Sequence, residues 1–254
     1  MQPDCKPDLS GESSAANRCL SALSPAAASL LRRHLTTCML HEGTVLWAPG
    51  SSGAGVYFPI SGLMSIGCVL TNGECVEVGS IGREACAGGV LNFSESGFLT
   101  MGAVQVGGDF ARIPDAEFLR AASESEEVKM LLTFGRDWIS MQAQQLAACN
   151  AVHSADRRFC RWLVQSSQRM ETTTLHATQE SIASLLGIRR TTVTFIAQTL
   201  QQNGIIEYRR GKITIVDVEG LQSAACDCCN AIDRRYWPST RLSQRSHTPQ
   251  TWPA

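Results

Sequence analysis

Two cationic clusters stand out by residue type and spacing. The first is Arg189-Arg190-Thr191-Thr192, with Thr194 one position further on. The second is Arg209, Arg210 and Lys212 around Gly211. Arginine can hold guanine through two hydrogen bonds, and threonine can meet a phosphate or a thymine methyl. Neither cluster has the make-up of a catalytic centre. No serine–histidine–aspartate or cysteine–histidine pairing can be drawn, and a spacing of four from Cys149 to His153 does not make a nucleophile and its base. The segment from Cys38 to Pro114 holds only His41, too few ligands for a cupin-type metal enzyme. The chain therefore reads as a non-enzyme.

Thiols are the other chemical resource, eleven in all. A disulfide framework belongs to small secreted chains, and 254 residues without a basic-then-apolar leader fit neither condition. Most cysteines are expected as small buried hydrophobes with free thiols. Ligand-like density occurs only at Cys226-Asp227-Cys228-Cys229. Three such thiols could bind a soft metal or oxidise. No fourth ligand is evident in Asn230-Ala231-Ile232-Asp233, so packing is the reading, with no metal and no cofactor expected.

The cationic clusters need elements to present them. Thr178 to Gly187 reads as a short helix with Thr178 as its cap and Gly187 as its left-handed stop. Arg190 to Gln202 reads as a second helix, with Val193, Ile196, Ala197 and Leu200 inward and Asn203-Gly204 ending it. Two helices joined by a tight glycine turn form a helix-turn-helix. The basic start of the second lies where a recognition helix meets base edges. Ile205 to Val216 then alternates as two strands around Arg209-Arg210-Gly211-Lys212, a wing whose charges should touch phosphate. The expected DNA contacts are Thr178, Gln179, Arg189, Arg190, Thr191, Thr192, Thr194, Arg209, Arg210 and Lys212.

Upstream the texture differs. Ser24-Pro25 opens a helix running to about Leu35. From Cys38 to about Pro114, turn signals such as Asn72-Gly73 separate short Val-, Ile- and aromatic-rich runs, the pattern of a small antiparallel barrel. Between Asp115 and Cys149 there is no proline, and two apolar stripes run along a single expected helix. One, Val128, Leu132, Ile139 and Leu146, would cover the barrel. The other, Leu131, Phe134, Trp138 and Met141, would form a coiled-coil-like dimer seam. Asn150 to His153 reads as a hinge, and Ser154 as the cap of a further helix.

Composition agrees with a soluble globular chain, 44% hydrophobic and 18% charged. No apolar run is long enough for a membrane helix, so a cytoplasmic location is expected. The net charge of −1 hides an asymmetry. Thirteen basic residues face eight acidic from Ser154 onward, and nine face fifteen before it. A basic back suits an anionic partner.

In these motifs the chain resembles the CRP/FNR superfamily of transcription regulators over roughly residues 17 to 230. Further features of the resemblance are Gly55-Val56-Tyr57-Phe58-Pro59-Ile60-Ser61-Gly62, Val78-Gly79-Ser80-Ile81-Gly82-Arg83-Glu84, Cys149-Asn150-Ala151-Val152-His153 and Ala225-Cys226-Asp227-Cys228. The resemblance implies an α+β protein: an N-terminal antiparallel, cyclic-nucleotide-binding-like β-roll (17–114), a long dimerisation helix and hinge (115–150) and a C-terminal winged helix-turn-helix (151–236); residues 237–254, rich in Ser, Thr, Pro, Gln and Arg, read as a flexible tail. It implies a homodimer on double-stranded DNA, and it brings in RNA polymerase as a partner. The arginine that meets the phosphate in cyclic-nucleotide-binding members is missing from Phe98-Leu99-Thr100-Met101, so cyclic AMP is not the expected effector. Cys5 and Cys19 are too few and too far apart for an FNR-like iron–sulfur cluster. The alternative is an effector-binding roll with thiol-based redox sensing and weak or lost DNA binding.

Overall fold

The structure, a computed structural model, describes residues 5–7, 16–51, 55–88 and 99–230. The expected tail from 237 lies outside them, as do residues 89–98.

After the short strand β1 (Cys5–Pro7) comes a helical turn, α1 (Arg18–Ser21), and then α2 (Pro25–Arg32). Ser24 caps α2 with Pro25 at its first turn, and the helix stops at Arg32, before the expected Leu35. The roll follows: β2 (Thr36–Leu40), β3 (Val45–Trp47), β4 (Val56–Pro59), β5 (Leu63–Val69), β6 (Cys75–Ile81), β7 (Ala87–Gly88), β8 (Thr100–Val106) and β9 (Gly108–Ile113). One sheet runs β1-β2-β9-β4-β7 and the other β3-β8-β5-β6, with every pairing antiparallel. The Asn72-Gly73 signal holds: Gly73 takes a φ of +85°, and Val69 pairs with Cys75 across the turn. The roll core gathers Phe58, Met64, Ile66, Ile81 and Phe110, all at or below 1% exposure.

The single helix expected over 115–149 is divided. α3 (Asp115–Glu124) ends at Ser125, whose extended backbone (φ −140°, ψ 122°) breaks the path. Ser125 then caps α4 (Glu126–Val152) by accepting from the Val128 amide. A serine favours such a junction because its hydroxyl satisfies an orphan amide of the new helix.

Both apolar stripes of α4 face the roll. Val128, Leu131 and Trp138 are buried, and Leu132, Phe134, Ile139 and Met141 pack half-buried against the same cores. Leu131, Phe134, Trp138 and Met141, expected as a dimer seam, pack against the roll's clusters within the protomer. The reason is width. The roll presents two clusters side by side, and one face of α4 covers both.

The back domain begins at α5 (Ala155–Met170) and continues through β10 (Thr174–His176), α6 (Gln179–Leu186), α7 (Arg190–Gln202), β11 (Ile206–Arg209), β12 (Lys212–Ile215) and α8 (Val218–Ala224). A 3-10 turn at Asp227–Asn230 closes the described chain. Asn150 to Val152, expected in the hinge, is helical, so the break between α4 and α5 narrows to His153 and Ser154. Strand β10 carries no sequence signal beyond three residues and joins the wing as its third strand, in the order β10-β12-β11. One core holds the domain, centred on Phe159, Leu163, Ile182, Val193 and Ile213.

Candidate nucleic-acid interface

Helix α6 starts at Thr178, whose hydroxyl accepts from the Ser181 amide at 3.0 Å. Gly187 ends it in the left-handed region, at a φ of +60°, where a Cβ would be strained. That tight stop turns the chain into α7. Val193, Ile196, Ala197 and Leu200 bury the inner face of α7 as expected. Arg189 sits at its N-cap position without a capping bond from its side chain. The guanidiniums of Arg189 and Arg190 and the Thr191 side chain are exposed, while Thr192 and Thr194 are half-buried.

The wing turn is a two-residue loop, Arg210-Gly211, between the paired residues Arg209 and Lys212. Arg210 has a φ of 50° and Gly211 a φ of 78°. Two successive positive φ values define the turn whose twist matches a hairpin. Asparagine or glycine is the usual first residue, so an arginine here is strained, and it carries its charge to the tip. Tyr208 anchors the wing: its hydroxyl donates to the Ala177 carbonyl at 2.8 Å, and its amide donates to Gln201 Oε1 at 2.8 Å.

A groove of about 690 Å³ lies between α6, α7 and the wing. It brings together five of the sequence-predicted residues: Thr178, Gln179, Arg190, Thr194 and Arg210. Arg189, Thr191, Arg209 and Lys212 are exposed outside its lining. Two of the grouped residues are held internally, since the Thr194 hydroxyl donates to Gln179 Oε1 at 2.7 Å. Arg190 lies 3.9 Å from Glu180, a loose, exposed ion pair that phosphate or guanine can displace at little cost.

Sequence reading passed over Gln198, Gln201 and Tyr208, which also line the groove, and Phe195, 70% exposed on α7. Gln198 was within reach of it, because it lies two helical turns beyond Arg190 on the same face.

The roll's charged loop is committed elsewhere. Glu84 accepts from the Gly82 amide and pairs with Arg169 of α5 at 3.2 Å, both side chains under 10% exposed. Arg83 pairs with Glu171 at 2.6 Å and donates to the Ala16 carbonyl. Arg169 also donates to Gln142 of α4 and to Ser80 of the roll. Not every thiol is free, since Cys38 is disulfide-bonded. Among the described residues no helix is long and apolar enough to cross a membrane.

Residues 157–224 match the model of the Crp-like helix-turn-helix domain. A search of curated proteins finds no match. Among solved structures, the chain is similar to a putative transcriptional regulator of the Crp/Fnr family from Eubacterium rectale, with 20% identity and a TM-score of 0.63 over 83% of this chain and 98% of that one. FixK2 from Bradyrhizobium japonicum aligns with 13% identity and a TM-score of 0.64, covering 76% of this chain and 98% of its own. The c-di-GMP-responsive global regulator CLP of Xanthomonas campestris aligns with 16% identity and a TM-score of 0.61, covering 76% and 99%.

Proposed function

From a chain that carries a Crp-like helix-turn-helix domain behind a β-roll of the CRP/FNR fold, we infer a homodimeric transcription regulator that reads a two-fold symmetric operator. The observation that carries this reading is the convergence of Arg190, Gln198, Thr178 and Arg210 on one groove beside an exposed recognition helix. Arg190, with Arg189 beside it, reads base edges. Arg209, Arg210 and Lys212 hold the backbone.

The dimer seam moves to the side of α4 left over once the roll is covered. There Thr133, Asp137, Ser140, Gln144, Ala147 and Ala151 recur at alternating intervals of four and three, and the last four keep exposure. That interval is the coiled-coil repeat, and its small residues allow a close approach. Pairing there would set two recognition helices about 34–36 Å apart, one turn of DNA. Cyclic AMP is not the signal in this reading, because Glu84 and Arg83 are both spent on α5 and the residue that caps it.

Selection of DNA fragments from a random pool on purified, reduced protein at fixed salt tests the reading. A two-fold motif with half-sites about one turn apart is the expected outcome. No enrichment, or a motif without symmetry, overturns it.

A further inference from the structure

The four residues Cys149, His153, Cys226 and Cys228 come together where α4 meets the end of the back domain. Their ligand atoms all lie within 4.8 Å of one another. Cys149 Sγ is 3.3 Å from His153 Nδ1 and 3.4 Å from Cys226 Sγ, and Cys228 Sγ is 3.8 Å from the same Nδ1. A tetrahedral zinc ion with Zn–S of about 2.3 Å and Zn–N of about 2.0–2.1 Å separates its ligand atoms by roughly 3.5–3.8 Å. Those three separations are already close to that size, and a contraction of about 1 Å at most brings the rest to it.

Local structure explains the convergence. Cys149 and His153 are one turn apart at the C-terminal end of α4, so both side chains leave the same face. Cys226 follows α8, and Cys228 sits on the 3-10 turn. The sequence shows the second pair as thiols lacking further ligands. The fold supplies two more from over seventy residues away.

We propose that Cys149, His153, Cys226 and Cys228 form a closed Cys3His site for one zinc-class divalent ion, which ties the dimer-helix end of α4 to the DNA-binding domain. Three thiolates and a neutral imidazole around a doubly charged ion leave a net −1. Arg161, only 4% exposed and with its Nε unpartnered, offers the balancing positive charge, and its field reaches both Cys149 and Cys228. Gln145 Nε2 donates to Cys228 Sγ at 3.0 Å, as a donor to a metal-bound thiolate would. With four protein ligands the site has no open position for substrate, so its role is to hold geometry rather than to catalyse. His153 is itself half of the break between α4 and α5, so a bound ion would restrict motion there. The assignment is independent of whether the chain binds DNA.

The test is anaerobic titration of the metal-free, reduced full chain with cobalt(II), followed by zinc. The expected result is the intense visible spectrum of tetrahedral cobalt with thiolate charge transfer, saturating at one equivalent and bleached by zinc. Cys228→Ser, at a half-exposed position that tolerates the change, should lose the signal, and Cys68→Ser, in the roll, should keep it. Gln145→Ala removes a donor without removing a ligand and should weaken affinity about 10–100-fold with the spectrum retained. Zinc should raise the Tm of the parent and not of Cys228→Ser. A spectrum that survives Cys228→Ser, or no tetrahedral spectrum at all, overturns the proposal. So does reduced protein that takes up no metal while oxidant links Cys149 to Cys226, which would make the cluster a redox pair.

Discussion

At the scale of single residues, Arg190 and Lys212 are both exposed cations but should fail differently. Arg190 faces the groove at the start of α7, where one arginine can span the O6 and N7 of a guanine. Arg190→Ala should cost about 1–3 kcal/mol on cognate DNA and relax preference at one base pair per half-site. Lys212 sits at the foot of the wing turn, and Lys212→Ala should weaken all sequences alike, lowering the salt slope by about one per wing. Equal losses of Arg190→Ala on random and cognate DNA, followed by fluorescence anisotropy, would remove the base-reading role. Glu77 supplies a pH signature of another kind. Burial against the roll pushes its carboxyl up to about 7, despite the opposing pull of Arg169, the Ser65 hydroxyl and Arg161. Between the ordinary carboxylate value and about 7 the folded state holds a proton that the unfolded state has released. Stability should therefore fall as pH rises through that window. Urea denaturation at intervals from pH 5 to 8 should show the decline, and Glu77→Gln should flatten it.

At the scale of elements, α4 shows what a stripe argument leaves open. Leu131, Phe134, Trp138 and Met141 have seam spacing, but spacing does not say which partner a stripe meets. The roll's two clusters are wide enough to take both stripes, leaving the small and polar face outward. A bulky charge on that face, Ala147→Arg, should shift the chain from dimer to monomer in sedimentation without lowering its Tm. An unchanged mass would place the dimer interface elsewhere. The helix-turn-helix behaves oppositely. Its cap, its stop and its inward residues are all local, and Thr178, Gly187, Val193 and Leu200 stand where their types and spacing predict.

At the scale of the whole molecule, the two domains are joined by polar contacts. Arg169 of α5 reaches Glu84 and Ser80 of the roll and Gln142 of α4. Ser184 of α6 donates to the Cys75 carbonyl on the β5–β6 hairpin at 3.1 Å. A buried charge pair adds little net stability but costs much when half of it is removed. Arg169→Ala should therefore destabilise by about 3–5 kcal/mol, because the buried Glu84 carboxylate loses the guanidinium that balances its charge. Arg169→Leu combined with Glu84→Gln should recover much of the loss in chemical denaturation. Failure of the double change to recover would mean that the contacts to Ser80 and Gln142 carry the effect instead.

Sequence alone determined what depends on neighbours within a few positions. That covers the capped helices, the Asn72-Gly73 hairpin, the winged helix-turn-helix and the placing of positive charge on its outer surfaces. These are set by turn chemistry and by periodicities of two and 3.6, which need no long-range contact. Tertiary structure alone decided which apolar face of α4 is covered, that Glu84 meets Arg169, and that Gln198 and Tyr208 share a groove with Arg190. It alone set Cys149 and His153 beside Cys226 and Cys228. Each of these joins residues far apart in the chain, and their meeting depends on how layers pack, a property that spacing along the chain does not encode.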